Sequence, residues 1–218
     1  MAPMRLISLK KLAATSLGVA AFALCLEAPA ALADTPVASS ARTLASELRI
    51  ARGDLDRMGI RGLPEANRAG LESRLTGALG LLPWLLKQAG DVAGATRLEG
   101  LGTRLDDPDA LAQALDDIAA RHPLDLVDIG TSGVRARALL EARAIHETYC
   151  SGCHDGSGSG DPEAYLPIRD LFDMAREDTM DVFVARLYNG VKGDETIGFV
   201  NPLTETQFLA LWRYYSTD

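Results

Sequence analysis

Cys150 and Cys153 stand three apart in HETYCSGCHDGSGSGD, residues 146–161, and His154 follows the second cysteine directly. Two thiols and an imidazole at that spacing can serve four chemistries: a disulfide, a thiol redox pair, a zinc site or the covalent anchoring of haem. A disulfide between residues three apart closes a very short loop and adds little stability. A thioredoxin-type pair needs a βαβ setting, and the sequence around this one has helical periodicity. A structural zinc site wants four ligands. No second cysteine pair exists, and His122 and His146 are spaced like no usual zinc module. Haem attachment uses every residue of the motif. Each sulfur can form a thioether with one haem vinyl group, and the small Ser151 and Gly152 let the backbone turn tightly around the porphyrin edge. His154 is then carried under the iron as an axial ligand. C-x-x-C-H is the sequence mark of a c-type haem, so one covalent haem c is the expected cofactor. The glycine- and serine-rich stretch that follows lacks the alternating acids of a calcium loop and reads as a solvated loop.

Around this motif, residues 134–218 resemble a class I (single-haem) cytochrome c. The order is a helix, CSGCH, a loop with proline, a middle helix ending in Asn189-Gly190, and a C-terminal helix. The resemblance implies that Pro167, thirteen residues after His154, offers its carbonyl to the proximal imidazole, which orients the ring. It also implies that Leu211 and Tyr214 belong to a terminal helix crossing the helix before the motif, where Ala142 is small enough to allow the approach. His146 takes the place of a packing aromatic and reads as packing rather than as a ligand.

The chain departs from the family at the sixth iron position. Electron-carrying members place a methionine in the loop before the terminal helix. Here that loop is GDETIGFVNPLT, with Thr196, Ile197, Gly198 and Phe199 and no methionine. No methionine follows Met180, and no histidine follows His154. The candidates for the distal position are Met174, Met180, Lys192, His122, Met58 or no protein ligand at all. A His–Met haem has a closed iron and a high potential, and moves electrons; a five-coordinate haem can bind a small gas or a peroxide. Ile197 and Phe199 offer no acid or base for peroxide cleavage, so the expectation is an electron carrier and not an enzyme.

The elements that must position these residues are helices, and no segment reads as a strand. The expected class is all-α: an N-terminal helical bundle over residues 34–125, of no evident chemistry, then a cytochrome c-like domain over 133–218. Ala41, Leu44, Ala45, Leu48, Ala51, Leu55 and Met58 recur at helical spacing. Gly62 and Pro64 break the chain. A second helix carries Leu71, Leu75, Leu79, Leu82 and Leu86, with Pro83 expected to kink or split it. Gly90 and Gly94 mark a further break. Asp107-Pro108 opens a helix through Ile118 that stops before Pro123. Residues 124–133 read as a connector, followed by a helix from Val134 to about Tyr149. Asp178 is expected to cap the middle helix, which Gly190 closes. Thr204 and Gln207 fit a capping box, with Leu203 and Phe208 as its hydrophobic staple. Phe208, Leu211, Trp212 and Tyr215 then share one face.

The first 33 residues read as a secretory signal peptide: Arg5, Lys10 and Lys11, an apolar run from Leu12 to Leu26, then Ala31-Leu32-Ala33. Leu24 before Cys25 disfavours a lipoprotein site. Cleavage after Ala33 removes three positive charges and one negative, which takes the formal net charge from −8 to −10. So acidic a chain should not bind nucleic acid or an anionic lipid surface. It suits a periplasmic or otherwise exported protein that meets a basic redox partner. With Cys25 removed, only the motif's own cysteine pair remains, which is no disulfide framework.

Overall fold

The structure, a computed structural model, describes residues 36–103, 105–125, 136–156, 168–189 and 203–217. The described residues are all-α, with no strand among them. No helix among them is long and apolar enough to cross a membrane. The chain from Asp34 to Asp218 forms one compact unit.

Four helices make the first part: α1 (Pro36–Met58), α2 (Glu65–Gln88), α3 (Val92–Leu101) and α4 (Pro108–Arg121). Their apolar stripes meet in a core that includes Leu44, Leu48, Leu75, Leu82, Leu86, Leu98, Leu115 and Ile118. The break after α1 is the expected one, and Gly62 supplies it with a φ of 81°. α2 continues unbroken through Pro83. A mid-helix proline forgoes one backbone hydrogen bond and costs about 3 kcal/mol. Burial of Leu82, Pro83, Leu85 and Leu86 along one side of the helix offsets that cost. Gly90, also at φ 81°, ends α2, but Gly94 breaks nothing. It lies in the first turn of α3, where its amide donates to the Asp91 side chain at 2.8 Å. A Cβ at Gly94 would come within 2.6 Å of that carboxylate, so a glycine lets the cap close. α4 begins as its sequence indicates, with Asp107 accepting from the Ala110 amide at 3.0 Å and Pro108 in the first turn.

The second part has α5 (Ala136–Ile145), a π-helical turn (His146–Cys150), α6 (Ser151–His154), α7 (Leu171–Glu177), α8 (Met180–Asn189) and α9 (Glu205–Ser216). Its core gathers Ala142, Ile145, Leu171, Ala175, Phe183, Ala210, Leu211 and Tyr215. α9 packs on α5 at fully buried Ala142, and Gln207 reaches Glu141 at 2.7 Å. The capping box of Thr204 and Gln207 is formed on both sides. Asp178 does not cap α8: its carboxylate accepts from Arg186 Nε at 2.9 Å. The cap in this region is Asp170, which accepts from the amides of Phe172 and Asp173 and starts α7.

α1 joins the two parts. It packs on α2 and α4 with one side and on α8 with another. Ala45, Leu124 and Ala185 form a small apolar cluster there, with Ile50 and Tyr188 against it. The helices approach so closely that a Cβ on Gly53 would lie 2.6 Å from Val182 Cγ1. Arg186 meets Asp54 at 3.0 Å, and Asn189 meets Glu47 at 3.1 Å, across the same seam.

Candidate functional site

The motif sits where α5 ends and the chain changes its winding. α5 widens into the π-helical turn His146–Cys150, then tightens into α6, which carries Ser151, Gly152, Cys153 and His154 on one short turn. A π-turn inserts one residue into the helical repeat and is frequent at functional sites. Here it changes the phase with which α5 presents Cys150 relative to His146.

Cys150 and Cys153 are both free thiols, Cys150 half-buried and Cys153 exposed. Burial pushes the Cys150 thiol above its ordinary value, and the hydrogen bond to Tyr215 only partly opposes that. A thiol-exchange nucleophile needs the opposite shift. His154 is held at one nitrogen: its Nδ1 donates to the backbone carbonyl of Arg169 at 2.6 Å. That bond fixes the tautomer with the proton on Nδ1, the form in which Nε2 is the ring's basic nitrogen. The donor set would fit a c-type haem: two free cysteine sulfurs and one oriented imidazole within one stretch of helix. The carbonyl partner is Arg169, two residues past Pro167, and Pro167 lies outside the described residues.

His146 is the buried histidine of the region, 4% exposed, and both ring nitrogens are engaged. Nε2 is 3.0 Å from Asp155 Oδ1, and Nδ1 is 2.9 Å from the Tyr215 hydroxyl. With Nε2 donating to the carboxylate, Nδ1 accepts from Tyr215, whose oxygen faces the Cys150 sulfur. Burial and Cys150 push the Tyr215 phenol upward, so it stays protonated. Phe172 and Tyr215 meet the imidazole edge-on, with ring centroids 5.7 and 5.5 Å away, and Tyr214 lies tilted at 5.6 Å. His146 is thus a packing residue with satisfied hydrogen bonds. Its link to Tyr215 was not legible in the sequence, because the π-turn alters which residues face α9.

The distal candidates fall in different places. Met174 packs against the same apolar cluster as Cys150. Met180 opens α8, half-buried. Met58 packs against the core of the first four helices. His122, at the end of α4, has its Nε2 3.1 Å from Asp91 Oδ2. Lys192 and the segment Thr196–Phe199 lie outside the described residues, as do the first 35 residues with Cys25. Among the described residues no group of three or more His, Cys, Asp or Glu side chains gathers to hold a metal ion. A groove of about 370 Å³ between α2 and α3, beside Trp84, brings in no thiol or imidazole. Comparison of the chain with protein-family models, with curated proteins and with solved structures gives no match.

Proposed function

We propose that this chain is an exported, periplasmic c-type cytochrome that carries one covalent haem and passes single electrons to or from a partner protein. One observation carries the reading: directly after two free thiols three apart, an imidazole is oriented by a backbone carbonyl that keeps its proton on Nδ1. Cys150 and Cys153 would hold the haem by thioethers, and His154 would ligate the iron. The haem supplies a one-electron iron couple. The protein's own residues do the rest. The Arg169 carbonyl holds the His154 ring and raises its basicity. His146, Phe172, Tyr214 and Tyr215 pack beside Cys150 and keep that side of the motif dry. The acidic surface, at a formal net charge of −8 for the whole sequence, favours encounter with a basic redox partner.

The test is haem staining after denaturing electrophoresis of protein made in an export host with haem-attachment machinery. Stain should stay with the chain, and Cys150→Ala with Cys153→Ala should remove it. A chain that folds but never holds haem would refute the reading.

A second reading has its own observation, the lack of any methionine after Met180. An iron without a methionine ligand would suit a haem-based ligand-binding or sensor protein. Optical spectra of both oxidation states, with and without carbon monoxide, separate the two. A ferrous spectrum unmoved by the gas favours the carrier, and a shifted one favours the ligand-binding protein.

A further inference from the structure

Three polar groups run in series into the core of the second part: the carboxylate of Asp155, the imidazole of His146 and the phenol of Tyr215. Tyr215 of α9 is 1% exposed and His146 of the π-turn 4%. The Asp155 side chain, just past α6, is 54% exposed, so the series begins at the surface and ends in the interior. His146 Nε2 donates to Asp155 Oδ1 at 3.0 Å, and the Tyr215 hydroxyl donates to His146 Nδ1 at 2.9 Å. Packing alone does not call for this series. Phenylalanine at positions 146 and 215 would fill much the same space among Phe172, Phe183 and Tyr214 and leave no polar group to desolvate. In the resting state burial holds the phenolic proton on Tyr215.

Taking one electron from a phenol turns it into a very strong acid. In an apolar interior the charged product is costly, so the electron leaves readily only where a base takes the proton with it. A base within about 2.6–3.2 Å has the reach for that transfer, and His146 Nδ1 is placed there with its lone pair directed at the hydroxyl. The imidazolium so formed keeps Nε2 on the Asp155 carboxylate, a charge-assisted bond that offsets its burial. The electron has a short way out, since the half-buried Tyr214 ring lies 5.3 Å from that of Tyr215, centroid to centroid. We propose that Tyr215 and His146 form a proton-coupled one-electron relay. A strong one-electron oxidant outside the protein, of the oxidised metal-complex kind, takes one electron from Tyr215 and is itself reduced by one. The phenolic O–H bond breaks, its proton forms an N–H bond at His146 Nδ1, and Tyr215 is left a neutral phenoxyl radical beside an imidazolium. Return of one electron, and of that proton to the oxygen, restores the pair. The relay goes beyond the haem reading and stands whether or not the chain carries haem.

The probe is ruthenium(III) tris-bipyridine, generated by a laser flash with a cobalt(III) ammine as electron sink, acting on the purified full-length protein with any haem kept ferric. Electron paramagnetic resonance of the freeze-quenched parent should show a tyrosyl radical, identified by the narrowing that ring-deuterated tyrosine gives. Its high-field g-value should report a hydrogen bond to the oxygen from an exchangeable proton, and its formation should slow in heavy water. Tyr215→Phe should remove the long-lived signal, and Tyr149→Phe, an exposed control, should keep it. His146→Gln keeps a hydrogen-bond acceptor but takes no proton, so oxidation of Tyr215 should slow roughly a hundredfold, as for the loss of a positioned base. A histidine that only packs would leave that rate unchanged in the folded variant, and that result would overturn the proposal. A parent radical with no hydrogen bond or no isotope effect, a radical undiminished in Tyr215→Phe, or no tyrosyl signal at all would overturn it too. Should either variant fail to fold, the hydrogen bond and the isotope effect measured on the parent decide.

Discussion

At the scale of residues, the region around the motif is governed by satisfied polar groups in an apolar setting. The imidazole of His146 is buried with a donor and an acceptor to satisfy, and Tyr215 and Asp155 take one each. Tyr215→Phe removes one partner and leaves His146 Nδ1 unpaired in the core. That should cost about 1–3 kcal/mol, read from urea unfolding. His146→Phe removes the polar group with its need for partners and should cost less than Tyr215→Phe once Tyr215 is also phenylalanine. A double-mutant cycle between the two positions measures the coupling. Of this arrangement the sequence showed the chemistry-bearing residues, since Cys150, Cys153 and His154 form a local pattern that no fold needs to assemble. It did not show the carbonyl of Arg169 or the hydroxyl of Tyr215, because those contacts span 15 and 69 positions and depend on how helices pack.

At the scale of elements, long helices with strong stripes were legible and short capped ones were not. α1, α2, α4 and α9 are written in leucine spacing, in Asp107-Pro108 and in the Thr204–Gln207 box. α3 and α7, at 10 and 7 residues, carry too few apolar positions for a period to show, and Gly94 disguises the first turn of α3. Their caps are what define them. Asp91 caps α3 and also receives Arg121 and His122 of α4's end, so it ties two helices together. Although burial opposes it, the hydrogen bonds from Gly94, His122 and Arg121 hold the Asp91 carboxyl at about 2, below its ordinary 3.8. A carboxylate whose folded value is depressed stabilises above its unfolded value, and the benefit is lost as pH falls through the folded one. Asp91→Asn should therefore lower stability at pH 6, and the gap to the parent should close as pH falls from about 4 towards 2. Circular dichroism of urea unfolding across that range checks the sign. Gly53 is a second element-scale constraint, since a side chain there meets Val182 Cγ1 at 2.6 Å. Gly53→Ala should cost about 1–3 kcal/mol by overpacking α1 on α8. Val182→Ala in the same chain should return part of it, although alanine alone at either site destabilises.

At the scale of the whole molecule, the composition divides the chain more sharply than the packing does. The sequence reads as a bundle followed by a haem domain, since Cys150, Cys153 and His154 fall in the second part. The helices instead share α1, whose buried face supplies apolar side chains to the first core and Ala45, Gly53 and Asp54 to the seam with α8. A seam of that kind is invisible to periodicity, because the small residues that allow close approach look like ordinary helix filler. Its strongest polar element is Asp54, fully buried and bound by Arg74 from α2 and Arg186 from α8. Breaking a buried ion pair by removing one partner typically costs about 3–5 kcal/mol, because the remaining charge is stranded. Asp54→Asn keeps the shape and removes the charge, so it should approach that loss, and it strands two arginines at once. Asp56→Asn, on the exposed side of the same helix, should cost under about 1 kcal/mol. The pair of variants separates a seam held by a buried charge from a general effect of charge on α1. If Asp54 is the common anchor, urea unfolding of Asp54→Asn should lose its single transition. The α5–α9 core and the α1–α4 core would then melt at different denaturant concentrations, seen by Trp212 and Trp84 fluorescence respectively. One coincident, strongly lowered transition would mean that the apolar contacts of Ala45, Leu124 and Ala185 keep the two parts coupled without it.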